Sequence, residues 1–267
     1  MDTSRAVLNA DKADTSADSS TQIVSAEDVM LDSVTQIIPD GDVMLVVGPS
    51  QQKIQISSHF LKHISPVFRA MLDAPMKEGE ALANKCDDGP VEIVLPEDKE
   101  QPMVHVLQML YGSDPSARRF SMTEVKEIAI IADKYGMADR LAIFAPFWLR
   151  ERAVKRFSEI HEWVWNTLIV AYILKIDWAF FEVTKTMLRT KTSVLKFIGS
   201  FHDKHVGLRL GMAIEELRST YLGMSGNGYG TEVGLCLYCF SHATESFTKQ
   251  RAGCPFAVRH FSTHRLA

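Results

Sequence analysis

Four cysteines in 267 residues, Cys86, Cys236, Cys239 and Cys254, are too few for the disulfide framework of a secreted scaffold. That usage fits a reducing compartment, so an intracellular protein, cytoplasmic or nuclear, is expected. Long apolar runs are missing too. The longest, Trp163–Leu174, contains Asn166 and falls well short of the roughly 20 residues a membrane span needs. No basic segment followed by an apolar stretch opens the chain, so no secretory signal is read. Charge of one sign is absent as well. Lys and Arg number 29 against 33 Asp and Glu, a net charge of -4, which gives no global attraction to nucleic acid or an anionic membrane. Neither a Ser–His–Asp constellation nor a metal-hydrolase pattern is signalled, and no enzymatic activity is expected.

What is present divides the chain into four parts. Residues 1–33 begin with a stretch dominated by Asp, Ser, Thr and Ala without sustained apolar periodicity, and are expected to form a disordered lead. Residues 34–150 mix strand and helix patterns, residues 151–224 are almost wholly helical, and residues 225–267 form a linker with a Cys/His-containing tail. The hydrophobic content of 46% is enough to supply real cores.

In 34–150, Val34–Ile38 and Val43–Val47 flank a Pro39-Asp40-Gly41 turn, and Lys53–Ser57 alternates as a half-exposed strand does. Ser57 or Ser58 can cap a helix over His59–Ile64, and Ser65-Pro66 starts another through Leu72. Phe60, Leu61, Ile64, Phe68 and Leu72 follow the helical period and are assigned to the core. A long charged loop is expected from Asp73 to Pro90, with Glu78–Glu80 solvated, then a strand at Val91–Leu95. Asp98 with Gln101 and Ser121 with Glu124 read as capping boxes for two helices, the second stopped by Gly136. Beyond it, Pro146 is expected to break or kink the chain. Ser158 and Asp177 begin helices to about Ile176 and Arg189, and Leu210, Ile214, Leu217 and Tyr221 mark a further apolar face.

The ordered blocks in this region resemble the BTB/POZ domain, in the form common in fungi. Asp42-Val43 running to Gly48 is similar to the family's opening strand. His59-Phe60-Leu61 through Ser65-Pro66-Val67-Phe68-Arg69-Ala70-Met71 is similar to its helical hairpin. Val91–Leu95 with Glu97-Asp98 resembles its third strand, and Leu107–Tyr111 and Ile130–Gly136 resemble the ends of the next helices. Ser57-Ser58 replaces the His followed by Lys or Arg of many animal members and is typical of fungal ones. The resemblance implies an α/β (α+β) domain without a catalytic site, followed here by an all-α region. It also implies protein partners: a homodimer through residues 41–148, with Val43–Val47 and Phe60–Phe68 on the self-association face, or docking onto a cullin scaffold as a ubiquitin-ligase substrate adaptor. A transcriptional regulator using the basic Cys/His tail is a further reading.

The best chemical constellation is Cys236-x-x-Cys239 with Cys254, and His260 or His264 beyond. Two thiolates at that spacing can share one tetrahedral Zn²⁺, and a third cysteine with a histidine closes the site. Cys236, Cys239, Cys254 and His260 are therefore the candidate ligands, with His242 another. The pair lacks the Gly usual after the second Cys, and Leu235, Leu237 and Phe240 point to burial, so reduced non-ligating thiols and a redox pair remain as alternatives. Gly226-x-Gly228-x-Gly230 reads as linker, since a phosphate loop also needs its Lys and a preceding strand. His202 and His205 read as a solvated turn. Lys249, Arg251, Arg259 and Arg265 make the tail mildly cationic, a weak footprint for nucleic acid.

Overall fold

The computed structural model describes residues 34–84, 89–114, 116–224 and 233–256. The expected lead over 1–33, Cys86, the Gly226–Gly230 connector and the tail residues Arg259, His260, His264 and Arg265 lie outside them.

β2 (Val43–Val47) has every residue buried and lies inside a four-stranded sheet of order β1-β3-β2-β4. It pairs antiparallel with β3 (Gln52–Ile56) and parallel with β4 (Val91–Leu95), with Leu45 opposite both Ile54 and Ile93. A continuous apolar run suits a strand covered on both faces. The strand expected over Val34–Ile38 shortens to β1 (Thr35–Gln36) and pairs in parallel with β3. With both edges of β2 occupied, β1 takes the outer edge of β3, and β4 forms the opposite edge of the sheet.

Asp42 at the head of β2 holds the next element. Its two carboxylate oxygens accept the Ser58 backbone N–H and the Ser58 hydroxyl, each at 2.6 Å. That fixes the start of α1 (Ser58–Ile64). Ser57 is the N-cap residue, but its side chain makes no capping bond among the described residues. α2 (Pro66–Asp73) follows at once. Ser65 Oγ accepts the Phe68 N–H at 3.0 Å and donates to the Tyr135 carbonyl at 2.6 Å. The Phe68 ring stacks on Tyr135 at 4.5 Å, so the hairpin and the end of a later helix meet at one point.

Two expectations fail nearby. The loop expected from Asp73 to Pro90 contains α3 (Lys77–Ala83), which carries Glu78 and Glu80 in its first turn, where the helix dipole favours them. Asp98 does not cap the next helix, α4 (Glu100–Tyr111), whose N-cap residue is Lys99. It is buried instead, accepting from the Tyr135 hydroxyl and pairing with Lys134 at 2.6 Å. A carboxylate engaged across the core cannot also serve a helix end.

α5 (Met122–Lys134) starts from the expected reciprocal box of Ser121 and Glu124. It ends at Gly136, where φ is +68° and an added Cβ would lie 2.6 Å from Pro66 Cγ. α6 (Ala138–Leu141) and a 3₁₀ turn (Ala142–Phe144) lead into α7 (Ala145–Val154), which Pro146 opens rather than breaks. α8 (Glu162–Ile173) begins four residues after Ser158, with His161 at its N-cap. Then come α9 (Asp177–Met187), α10 (Leu195–Ile198) and α11 (Lys204–Met224).

A boundary near 150 falls inside α7. One buried apolar cluster runs from Ile37 to Phe240 and includes Trp148 and Trp165. α5 packs on α8, and α7 packs on α8 and α9, so the mixed α/β part and the helical part share that core. Val43–Val47, expected on a self-association face, are enclosed by their own chain. Among the described residues no helix is long and apolar enough to cross a membrane.

Candidate metal centre

The segment 233–256 folds back onto the helical part, because Leu235 and Phe240 are almost completely buried there. Its backbone is anchored by side chains from those helices. The Leu235 N–H donates to Thr184 Oγ1 at 2.8 Å, and the Leu237 N–H to Asp177 Oδ1 at 3.2 Å. Arg209 donates to the Phe240 carbonyl at 3.0 Å with its guanidinium over the Phe240 ring. The Glu216 carboxylate accepts from Ser246 Oγ, the Phe247 N–H and Thr248 Oγ1. Burial works to raise the Glu216 pKa, but these donors outweigh it and hold the group below the usual carboxylate value.

α12 (Leu237–Ser241) opens at Cys236, its N-cap residue, and one turn brings Cys239 to the same side. Cys254 arrives on a turn closed by its own N–H on the Arg251 carbonyl at 3.2 Å, with Gly253 at φ +78°. The glycine missing after the second cysteine is not needed, because the pair opens a helix. The left-handed residue is required before the third cysteine.

The three sulfurs lie within 4.8 Å of one another, and the Cys236 and Cys254 Sγ atoms are 3.6 Å apart. Two thiolates on one tetrahedral Zn²⁺, with bonds of about 2.3 Å, are about 3.8 Å apart, so the thiols already stand at ligand spacing. The three residues are 2%, 0% and 9% exposed, with Tyr238 and Phe256 packed around them. The Arg251 backbone N–H donates to Cys239 Sγ at 3.4 Å. Burial pushes the Cys236 thiol up to about 12, with Cys239 and Cys254 adding to the rise. Burial also raises Cys239, and the Arg251 N–H partly offsets it. Without a cation Cys236 and Cys239 are held as neutral thiols, and a divalent cation such as Zn²⁺ would displace their protons. Three buried cysteines therefore lie close enough to hold a metal ion.

Of the residues expected at a metal, the three cysteines come together. His260 and His264 lie outside the described residues. His242 is turned elsewhere, its Nδ1 2.9 Å from the Tyr238 carbonyl and its ring against Tyr238. His202 meets Phe201 edge-on and is not among the residues grouped with the cysteines. Sequence reasoning missed Asp177 and Thr184 as supports of the segment, because Asp177 reads simply as a helix start and Thr184 as a core residue. No model of a known protein family matches the chain, and no curated protein matches it.

Proposed function

We propose that this chain is a non-catalytic protein–protein interaction protein, with a BTB/POZ-like head, a helical extension and a C-terminal segment fastened by structural zinc. What supports the head reading is the junction at Phe68, where the helical hairpin is held to Tyr135 and, through it, to Asp98. It unites the blocks on which the resemblance rests. Association is through the head, as a homodimer or onto a scaffold of the cullin type. With β2 enclosed, the apolar groups the head offers to a partner include Val67, Met76 and Val94, exposed by 38%, 56% and 62%.

The zinc reading rests on the 3.6 Å spacing of the Cys236 and Cys254 sulfurs. Cys236, Cys239 and Cys254 supply three ligands, and His260 the fourth. A closed site of this composition stabilises a fold and leaves no position for substrate.

Light scattering of the full chain over a tenfold dilution at micromolar concentration tests the first part. A dimer is expected, and a monomer throughout that also captures no cullin scaffold would sink it. Elemental analysis tests the second, with about one zinc per chain expected from zinc-replete expression. A metal-free protein would leave ordinary thiols.

A further inference from the structure

α7 is apolar on two faces. Ala145, Trp148, Leu149 and Ala153 are buried in the shared core. On the opposite side Ile143, just before the helix, is 71% exposed, Phe147 53% and Val154 54%. With the exposed Arg150 they occupy positions i, i+4, i+7 and i+11, one continuous helical stripe. A helix whose outer side repeats the spacing of an inner one is shaped to receive a second helix.

Beside the stripe lies a pocket of about 490 Å³ with Met109 and Phe144 in its wall and Arg118 and Arg119 at its rim. The Arg118 guanidinium sits 4.5 Å over the Phe147 ring, which joins pocket and stripe into one surface. Its charge is one-sided. Neither Arg118 nor Arg119 has an ion-pair partner among the described residues. The pocket's own acid, Asp114, is engaged by Ser116 and by His105 Nδ1 at 3.1 Å. Arg150 adds a third cation, with Glu151 the neighbouring acid on α7.

We propose that the outer face of α7 and this pocket form a docking groove for an acidic amphipathic helix of a partner protein. Apolar side chains at i, i+4, i+7 and i+11 of that helix would lie along Ile143, Phe147 and Val154, with one anchor entering the pocket. Carboxylates flanking them would meet Arg118, Arg119 and Arg150. The charge selects against a second copy of this chain, because a two-fold contact would bring the same three arginines against themselves. The inference rests on the interaction-protein reading but uses different residues of the head from Val67, Met76 and Val94.

The test uses the full chain and two labelled peptides of equal length with leucine at i, i+4, i+7 and i+11, one filled with glutamate and the other with lysine. Fluorescence anisotropy should show saturable binding of the glutamate peptide, weakening as salt rises, and none of the lysine peptide. The exposed double variant Arg118→Glu/Arg119→Glu should weaken it by at least about tenfold. Phe147→Ser should weaken it too, with circular dichroism confirming an intact fold. If Phe147→Ser misfolds, the arginine variant carries the test. No binding of the glutamate peptide, equal binding of both peptides, or an unchanged affinity in the arginine variant overturns the groove. Self-association abolished by Phe147→Ser would show that a second copy covers this face, and also overturns it. A dimer seen by light scattering of the unsubstituted chain would survive each of these results, so the two readings fail separately.

Discussion

Replacing Phe68 by alanine removes a ring that is 0% exposed and lies nearly parallel to Tyr135, 9° from coplanar, at 4.5 Å. The space left cannot collapse easily, because Tyr135 is held from two sides, by Asp98 at its hydroxyl and by Ser65 at its carbonyl. Truncations of this kind cost about 3–5 kcal/mol. Within that, the aromatic pairing accounts for about 0.5–1.5 kcal/mol. For a chain of this size each kcal/mol lowers Tm by about 2–4 °C, so a drop of about 6–20 °C is expected. The adjacent Val67 is 38% exposed and provides the control. Val67→Ala should change stability by no more than about 0.5 kcal/mol. Thermal melts followed by circular dichroism on both variants decide the matter. Equal losses, or an unshifted Tm for Phe68→Ala, would refute the idea that this ring anchors the hairpin to Tyr135 at the end of α5.

Tyr135→Phe should cost about 1–3 kcal/mol in urea denaturation, because it withdraws a donor from the buried Asp98 carboxylate; wild-type stability would contradict that network. Gly136→Ala should cost at least about 1 kcal/mol, since φ is +68° and the new Cβ meets Pro66; a neutral result would mean that the chain relaxes there freely. The Cys236 thiol, at about 12 against an ordinary 9.0, is protonated in the folded metal-free chain where the unfolded chain would begin to ionise. That chain should therefore lose stability as pH rises from about 9 towards 12, and zinc affinity should fall as pH falls; zinc titrations and melts across pH check both. Glu216 has the opposite sign. Its pKa is lowered below 4.5, so its contribution is present above that pH and is lost as pH drops through the folded value, which hydrogen exchange at Phe247 and Thr248 would report.

The parts of this fold legible from sequence are those where one local rule decides. β2 is a pure apolar run, and α5 carries its box, its stripe and Gly136, so its extent and buried face follow from neighbouring residues alone. Asp98 was not legible, because a carboxylate followed three residues later by Gln101 satisfies the capping pattern locally. What decides its role is the Tyr135 hydroxyl, 37 positions along the chain. α3 was hidden for another reason. Its Gly79 weakens the helical pattern, yet in the structure that glycine is buried, its Cβ position only 2.2 Å from the Ala74 carbonyl oxygen. In the metal centre the spacing of Cys236 and Cys239 announces itself, and Cys254 follows from counting thiols. Asp177 and Thr184 do not, because they lie 60 and 51 positions from the residues they support.

The C-terminal segment shows what a metal would add to so small an element. α12 has five residues, far below the length at which a helix persists alone in water. Thr184, Asp177 and Arg209 hold its first half through backbone groups, and Glu216 holds the turn at 246–248. Beyond that turn the contact that returns the chain to α12 is the cysteine cluster. A cross-link closing the loop from Cys236 to Cys254 would reduce the freedom of the unfolded segment by about 3 kcal/mol on the loop-entropy account. Its structural effect would be concentrated after Thr248, since the earlier anchors do not depend on it. A bound metal would therefore act on the loop around Arg251 and Cys254, while burial of Leu235 and Phe240 is enough to seat α12.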